Sequence, residues 1–248
     1  MNFSLEICVD NVESAIDAQK AGAMRVELCN NLPEGGTTPG LGTIVAARNN
    51  IKIGLHVIIR PRGGDFLYSP LEYDIMRREI ISCGESGVDG VVLGMLTRSG
   101  NIDVGRTAKL IELARPMSAT FHRAFDMCSD PDKGLEDVIA AGADRLLTSG
   151  QKNKAEEGME LIGKLIRQAG KRITIMPGSG LNESNIIHIA RGTGAIEFHL
   201  TGRKVIESEM IFHRQNISMG GTSGLSEFSR KVADPDMIKR IVTILKEI

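Results

Sequence analysis

The chain has 248 residues, of which 42% are hydrophobic, and 30 Lys and Arg against 31 Asp and Glu give a net charge of −1. This length suits one α/β barrel domain, since such barrels run to about 250 residues without dividing. A nearly neutral chain without a long basic run is not expected to bind nucleic acid. No apolar run approaches the ~20 residues of a membrane span, and the start MNFSLEICVDN lacks the basic region of a signal peptide. We therefore expect no membrane partner and a cytoplasmic location.

Eight β-rich runs recur along the chain, and most of the gaps between them have the periodicity of amphipathic helices. The runs are residues 5–10, 25–30, 54–61, 90–95, 118–125, 145–150, 173–178 and 195–202, and the clearest helices are 11–22, 72–87, 103–115 and 156–170. Alternation of strand and helix predicts a parallel sheet, and eight units favour a closed barrel over an open doubly wound sheet. The glycine-rich fingerprint of the open sheet is absent from LEICVDNVES.

We therefore predict a single (β/α)₈ TIM barrel over about residues 4–202, followed by a C-terminal extension over 203–248. The extension contains the Gly/Ser-rich stretch MGGTSGLSEFS and the periodic stretch VADPDMIKRIVTILKEI. We interpret the first as part of a loop that covers the barrel mouth and the second as a terminal helix. The whole chain then forms one domain.

Side chains alternate across a strand, and this alternation predicts which residues face the barrel interior. In the first strand, Ile7 and Val9 suit the helix-covered outside, which leaves Glu6, Cys8 and Asp10 inside. The same reasoning places inside Glu27, Cys29, His56, Ile58, Arg60, Thr120, His122, Glu197, His199 and Thr201. A barrel interior is usually apolar, and a buried unpaired charge is costly. The polar set predicts either a functional cavity or paired structural networks.

Cys8 and Cys29 occupy equivalent places near the ends of the first two strands, each two residues after an inward glutamate. Neighbouring strands lie about 4.8 Å apart, so both sulfurs can approach one ion. Two soft thiolates suit Cu(I), whereas zinc normally takes three or four protein ligands; His56 or a glutamate could complete the site. The alternative is a pair of buried structural cysteines. Cys83 and Cys128 are interpreted as structural, and no CxxC spacing or disulfide framework is evident.

The inward carboxylates and imidazoles also form a candidate acid/base set. Carboxylates and imidazoles placed close together shift one another's pKa values, which general acid/base catalysis requires. If the protein is an enzyme, we expect its catalytic groups among Glu6, Glu27, His122, Glu197 and His199. A buried histidine that is simply satisfied by hydrogen bonds is the alternative.

Two sets of residues are candidates for binding an anion. Arg60 and Arg62 lie in IIRPRGGDFLYS after the third strand and could clamp an anionic group, or they could form local salt bridges. Gly178 and Gly180 lie where strand seven ends, and Ser149, at the end of strand six, lies beside them. Barrels often bind phosphate through backbone N–H groups of the loops after strands seven and eight, although glycines also serve simply to turn the chain.

The strings EICVD, RVELCNNLPEGGTTPG, IIRPRGGDFLYS, TFHRAFD, RLLTSG, MPGSG and EFH occur in this order, within a match that covers roughly residues 4–233. In this respect the chain resembles the CutC family of copper homeostasis proteins. The resemblance implies a cytosolic (β/α)₈ barrel linked to copper handling, with Cu(I) on the cysteines that match Cys8 and Cys29. It implies no particular enzymatic reaction.

Two functional hypotheses follow. The first is a cytosolic copper-binding protein that holds Cu(I) by thiolates at the barrel mouth. The second is an enzyme, a lyase, isomerase or hydrolase, that acts on a small anionic or phosphorylated metabolite by acid/base chemistry. A homo-oligomer is also expected from related barrels, which commonly pair through their outer helices or terminal segment.

Overall fold

The computed structural model describes residues 3–214, 217, 219 and 226–247. Within them, eight parallel strands form one sheet: β1 (Ser4–Val9), β2 (Arg25–Leu28), β3 (Gly54–Ile58), β4 (Gly90–Leu93), β5 (Ser118–Phe121), β6 (Arg145–Thr148), β7 (Thr174–Pro177) and β8 (Glu197–Leu200). They pair in the order β7-β6-β5-β4-β3-β2-β1-β8, and a parallel bridge between Gly178 and His199 joins the two ends of the sheet. The predicted (β/α)₈ barrel is confirmed.

Helices connect consecutive strands and cover the outside of the barrel: α1 (Val12–Lys20), α2 (Leu41–Asn50), α3 (Pro70–Glu85), α4 (Val104–Ala114), α5 (Pro131–Ala140), α6 (Met159–Ala169) and α7 (Ile186–Thr193). Their starts follow from capping chemistry. Ser69 and Glu72 form a capping box at α3, with Pro70 in the first turn. The helices pack on Ile7, Val26 and other outward-facing strand residues, which form the main core. No helix of the described part of the chain is both long and apolar enough to cross a membrane.

The segment after the barrel differs from its prediction. The loop expected from residue 203 instead contains two antiparallel strands, β9 (Arg203–Glu207) and β10 (Ser229–Ala233), paired with each other. The terminal helix α8 (Pro235–Lys246) begins later than predicted, because the Asp234 side chain caps its first turn and Pro235 occupies the first helical position. Most of the Gly/Ser-rich stretch 219–229, including the predicted mouth-covering part, lies outside the described residues.

The barrel strands are also shorter than predicted at their C-terminal ends. The run 118–125 stops being a strand at Phe121, and a 3-10 helix, Arg123–Met127, follows directly. His122 causes this change of direction, because its side chain accepts a hydrogen bond from the Ala124 backbone N–H. The turn places several polar side chains of this segment at the barrel mouth.

Candidate functional site

A cavity of about 520 Å³ opens among the C-terminal ends of the strands, where barrel proteins place their functional residues. Its walls include side chains from β1, β2 and β8 and from the segments that follow β3, β5 and β8: Cys8, Glu27, His199, Arg60, His122 and Thr201. Phe66 and Gly180 contribute from two loops. The inward alternation predicted for these strands therefore produces a real opening.

The two thiols predicted to share an ion lie in contact. Cys8 and Cys29 are 4% and 1% exposed, and their Sγ atoms are 3.6 Å apart. Glu27 is the residue opposite Cys8 in the ladder, and Cys29 lies two residues later, directly after the end of β2. Gly36 packs against Cys29 in the left-handed conformation, and a Cβ there would lie only 3.3 Å from Cys29 Sγ. The local chain thus closes tightly over the second thiol.

His199 and Glu27 complete a cluster around Cys8. One ligand atom each from Cys8, Glu27 and His199 lies within 4.8 Å of the others. His199 Nδ1 lies 2.8 Å from Glu6 Oε1, which leaves Nε2 directed toward Glu27, at 3.7 Å from its Oε2. The Glu6 hydrogen bond fixes the orientation of the imidazole ring.

His56, the other ligand considered from sequence, lies elsewhere. Its ring packs against Gly90 of β4, where a Cβ would come within 2.5 Å of His56 Nε2. Its Nδ1 is 3.8 Å from Glu6 Oε2. Burial lowers the pKa of His56 to about 4, so the ring is neutral at physiological pH. In the described residues a glutamate and His199, rather than His56, accompany Cys8.

The protonation states in the cluster depend on one another. The hydrogen bond from Cys29 lowers the pKa of Cys8 to about 5, against the effect of burial and with help from His199. Burial raises the pKa of Cys29 and that of Glu27, and the Cys8 charge raises both further. Burial alone would lower the pKa of His199, but hydrogen bonds with Cys8 and Glu6 raise it well above its ordinary value. The lowered pKa of Cys8 and the raised pKa of His199 both favour a thiolate beside an imidazolium.

A layer of ion pairs lies beneath the cavity and includes Glu197, one of the predicted catalytic acids. Arg25 pairs with Glu6 and places Nη2 2.8 Å from Glu197 Oε2, and Arg145 Nε lies 2.8 Å from the same oxygen. Glu197 is level with Ser4, one inward position before His199, and does not line the cavity. Strand alternation correctly predicts that the Glu197 side chain faces inward. Its position along the barrel axis, below the cavity, places it among the ion pairs with Arg25 and Arg145.

His122 faces the cavity as a neutral ring. Burial, followed by the nearby positive charge of Arg60, lowers the pKa of His122 to about 3. Its Nδ1 accepts from the Ala124 N–H, so Nε2 carries the proton. No other described residue accepts a hydrogen bond from Nε2. His122 is therefore suited to donate a hydrogen bond rather than to act as a base.

The two predicted anion-binding arginines have different surroundings. Arg60 is 5% exposed, lines the cavity and donates to the backbone carbonyls of Glu34, Gly36 and Gly64. It forms no ion pair with a carboxylate of the described residues. Arg62 instead pairs with two acids of its own loop region and does not line the cavity. Of these two predicted arginines, Arg60 alone lines the cavity.

The glycine-rich loops are also divided. Gly180 lines the cavity, whereas Gly178 serves to close the barrel: a Cβ there would lie 2.5 Å from Leu147 Cδ1. Ser149 lies in a hydrogen-bonded network with Asp126 and does not line the cavity. Asp126, which lines it, was not identified from sequence; the only signal was its place in the string FHRAFD after the fifth run.

Comparison with known proteins identifies the family of this chain. The model of the CutC family matches residues 3–204. The chain belongs to the CutC family. It is 50% identical over 241 residues to a family protein CutC from Chromobacterium violaceum, with 97% of each chain covered. It is 44% identical over 246 residues to the copper homeostasis protein CutC homolog of Homo sapiens, covering 99% of this chain and 90% of the human one. The resemblance inferred from the motifs is confirmed.

Solved structures extend the comparison to the fold. A CutC crystal structure from Streptococcus agalactiae is 36% identical, with a TM-score of 0.77, over 80% of this chain and 98% of that one. Phosphoribosylanthranilate isomerase from Thermotoga maritima has a TM-score of 0.60 at 12% identity over 99% of this chain and 100% of that one. The second likeness shows a shared barrel fold only.

Proposed function

We propose that this CutC-family chain is a cytosolic copper-binding protein in which Cys8 and Cys29 hold one Cu(I) ion at the barrel mouth. The 3.6 Å separation of the two Sγ atoms supports this most directly, because both sulfurs can bind one ion with little movement. Their burial would shield Cu(I) from water and oxygen. The name of the human relative, a copper homeostasis protein homolog, agrees with the proposal.

The donor set favours a soft ion of low coordination number. Burial keeps the pKa of Glu27 well above its ordinary value, and His199 is held protonated by Cys8 and Glu6. The raised pKa values disfavour the deprotonated forms of these two groups that a metal requires, and the same holds for Cys29, whereas the lowered pKa of Cys8 favours its thiolate. A structural zinc site needs four deprotonated ligands. Cu(I), which two sulfurs satisfy, fits the cluster with fewer proton losses.

Competition between the protein and a Cu(I) chelator tests the proposal. Cys8→Ser and Cys29→Ser should each weaken Cu(I) binding by about tenfold or more, since a hydroxyl is a poor ligand for a soft ion. Cys83→Ser, a buried cysteine of α3, is the matched control and should bind as the wild type does. Equal Cu(I) retention by the wild type and the Cys8→Ser/Cys29→Ser double variant would remove the thiol pair from consideration. The same titration with Zn(II) checks that the protein binds Cu(I) with higher affinity than Zn(II).

A second candidate function is an enzyme, a lyase, isomerase or hydrolase, acting on a small anionic or phosphorylated metabolite. The observation that favours it is a mouth cavity lined by Arg60, Gly180 and acid/base groups, which exceeds what a two-thiolate copper site needs. Glu6 and Glu27 flank His199 in an arrangement that can move a proton.

Thermal-shift measurements with carboxylated and phosphorylated metabolites probe this second candidate. A metabolite that binds the cavity should raise the melting temperature, because binding to the native state alone is stabilising. The same metabolite should stabilise Glu27→Gln to a different extent, since that residue lines the cavity. If no anion stabilises the fold, the enzyme hypothesis loses its support.

A further inference from the structure

Cys8 and Cys29 differ in their access to the cavity. Cys8 lines the cavity wall, whereas Cys29 lies behind it, 1% exposed and covered by Gly36. The two sulfurs are nevertheless in contact, at 3.6 Å, and both are free thiols. A molecule that enters the cavity meets Cys8 first, and Cys29 is the neighbour that can react with whatever forms on Cys8.

The groups around Cys8 have the arrangement of an assisted nucleophile. His199 approaches Cys8 on the cavity side, and Glu6 holds the far nitrogen of its ring at 2.8 Å. A nucleophile, a proton-carrying group within reach and a third group that orients it together form the general design of a reactive thiol site. No histidine among the described residues hydrogen-bonds to Cys83 or Cys128, and neither cysteine lines the cavity.

We propose that Cys8 and Cys29 form a redox-active dithiol that reduces hydrogen peroxide or a small organic hydroperoxide. The Cys8 thiolate attacks one peroxide oxygen; the O–O bond breaks, the leaving oxygen takes a proton from His199 and departs as water or an alcohol, and Cys8 becomes a sulfenic acid. The Cys29 sulfur then displaces that hydroxyl, which leaves with the Cys29 proton as water, and an S–S bond forms. Two thiols lose two electrons, and one peroxide gains them.

Access restricts the oxidant to a small molecule. Cys8 and Cys29 are 4% and 1% exposed. A disulfide bond of another protein therefore cannot align with either sulfur for thiol–disulfide exchange. A peroxide is small enough for the cavity of about 520 Å³. Low-molecular-weight thiols regenerate the dithiol by exchange at Cys8, where two of them are oxidised to their own disulfide. The proposal does not depend on copper binding, although both use the same sulfurs.

Reaction of the reduced, metal-free protein with one equivalent of hydrogen peroxide, in the presence of a chelator, tests the proposal. The wild type should lose two thiols and the mass of two hydrogens, and peptide mapping should identify a Cys8–Cys29 disulfide. The Cys83→Ser/Cys128→Ser variant should behave identically. Cys29→Ser should stop at a sulfenic acid on Cys8 that a cyclic diketone traps, and Cys8→Ser should not react at that site.

The rate provides the second criterion. His199→Gln should slow disulfide formation by about 100-fold, the usual contribution of a general acid, while circular dichroism remains that of the wild type. Equal oxidation rates in the wild type and Cys8→Ser, or oxidation spread evenly over the four cysteines, would overturn the proposal. Because copper is absent throughout, this result is independent of the Cu(I) titration.

Discussion

Replacement of Arg25 by methionine should destabilise the fold by about 3–5 kcal/mol, the range for removing one partner of a buried ion pair. Arg25 pairs with both Glu6 and Glu197, and Glu6 is completely buried. Methionine fills much of the same volume but leaves the Glu6 carboxylate without its main counter-charge. Urea unfolding followed by circular dichroism measures the change in the free energy of unfolding.

Two comparisons separate this charge effect from simple loss of packing. Glu6→Gln in the Arg25→Met background should recover part of the stability, because the uncompensated charge is then gone. Arg172→Met removes an ion pair with Glu136 on the surface, where both side chains are close to half exposed, and should leave the unfolding midpoint nearly unchanged. A loss in Arg25→Met no larger than that of Arg172→Met would contradict the role assigned to the ion layer.

Acidification should weaken the fold through His122. Burial and Arg60 lower the pKa of His122 from 6.5 to about 3, so the unfolded chain takes up a proton below pH 6.5 that the folded protein refuses until about pH 3. Stability is therefore fully present above pH 6.5 and declines as the pH falls through this interval. The linkage for this one group is roughly 1.4 kcal/mol per pH unit.

His122→Asn isolates this contribution. The asparagine side-chain oxygen can accept the Ala124 N–H bond that His122 Nδ1 accepts now, but asparagine takes up no proton. Between pH 6.5 and 4 the variant should lose stability less steeply than the wild type, while His56 contributes equally to both. His188→Asn, on the exposed face of α7, is the matched control. Parallel pH curves for wild type and His122→Asn would show that the buried ring is not responsible.

Strand alternation was enough to predict most of the barrel interior. The apolar residues Ile7 and Val9 identify the outer face of β1. Because alternate residues face opposite sides of a strand, Cys8 is correctly predicted to face inward. The contact between Cys8 and Cys29 followed from their equivalent places on neighbouring strands. These are local patterns, and the distance between adjacent strands is nearly constant.

Height along the barrel axis could not be predicted in the same way. Glu197 and His199 share one face of β8, but two residues of strand separate them by roughly 6.6 Å, which is the difference between an ion layer and a cavity wall. Arg25 also has the inward alternation of Glu27, yet an arginine at a strand start would ordinarily be assigned to the surface. Its role depends on Glu6 and Glu197, which are distant in sequence.

Loop geometry was the least predictable part of the site. The sequence around Arg62 is typical of an anion-binding loop, but the Arg62 side chain instead forms an ion pair with Glu72 at the start of α3. Asp126 is held by the backbone N–H of Ser149 and the hydroxyl of Thr148, from the next strand. Such contacts arise only after the strands are assembled, so no pattern within either loop indicates them.

The ion layer formed by Arg25, Glu6, Glu197 and Arg145 determines by which end of the barrel a ligand can enter. These ion pairs close the lower end of the lumen, and breaking them would cost several kcal/mol because they are buried. The cavity is therefore open at the mouth alone. Whatever is bound beside Cys8 must enter and leave by the same rim. A second molecule can therefore bind beside Cys8 only after the first has left through the rim.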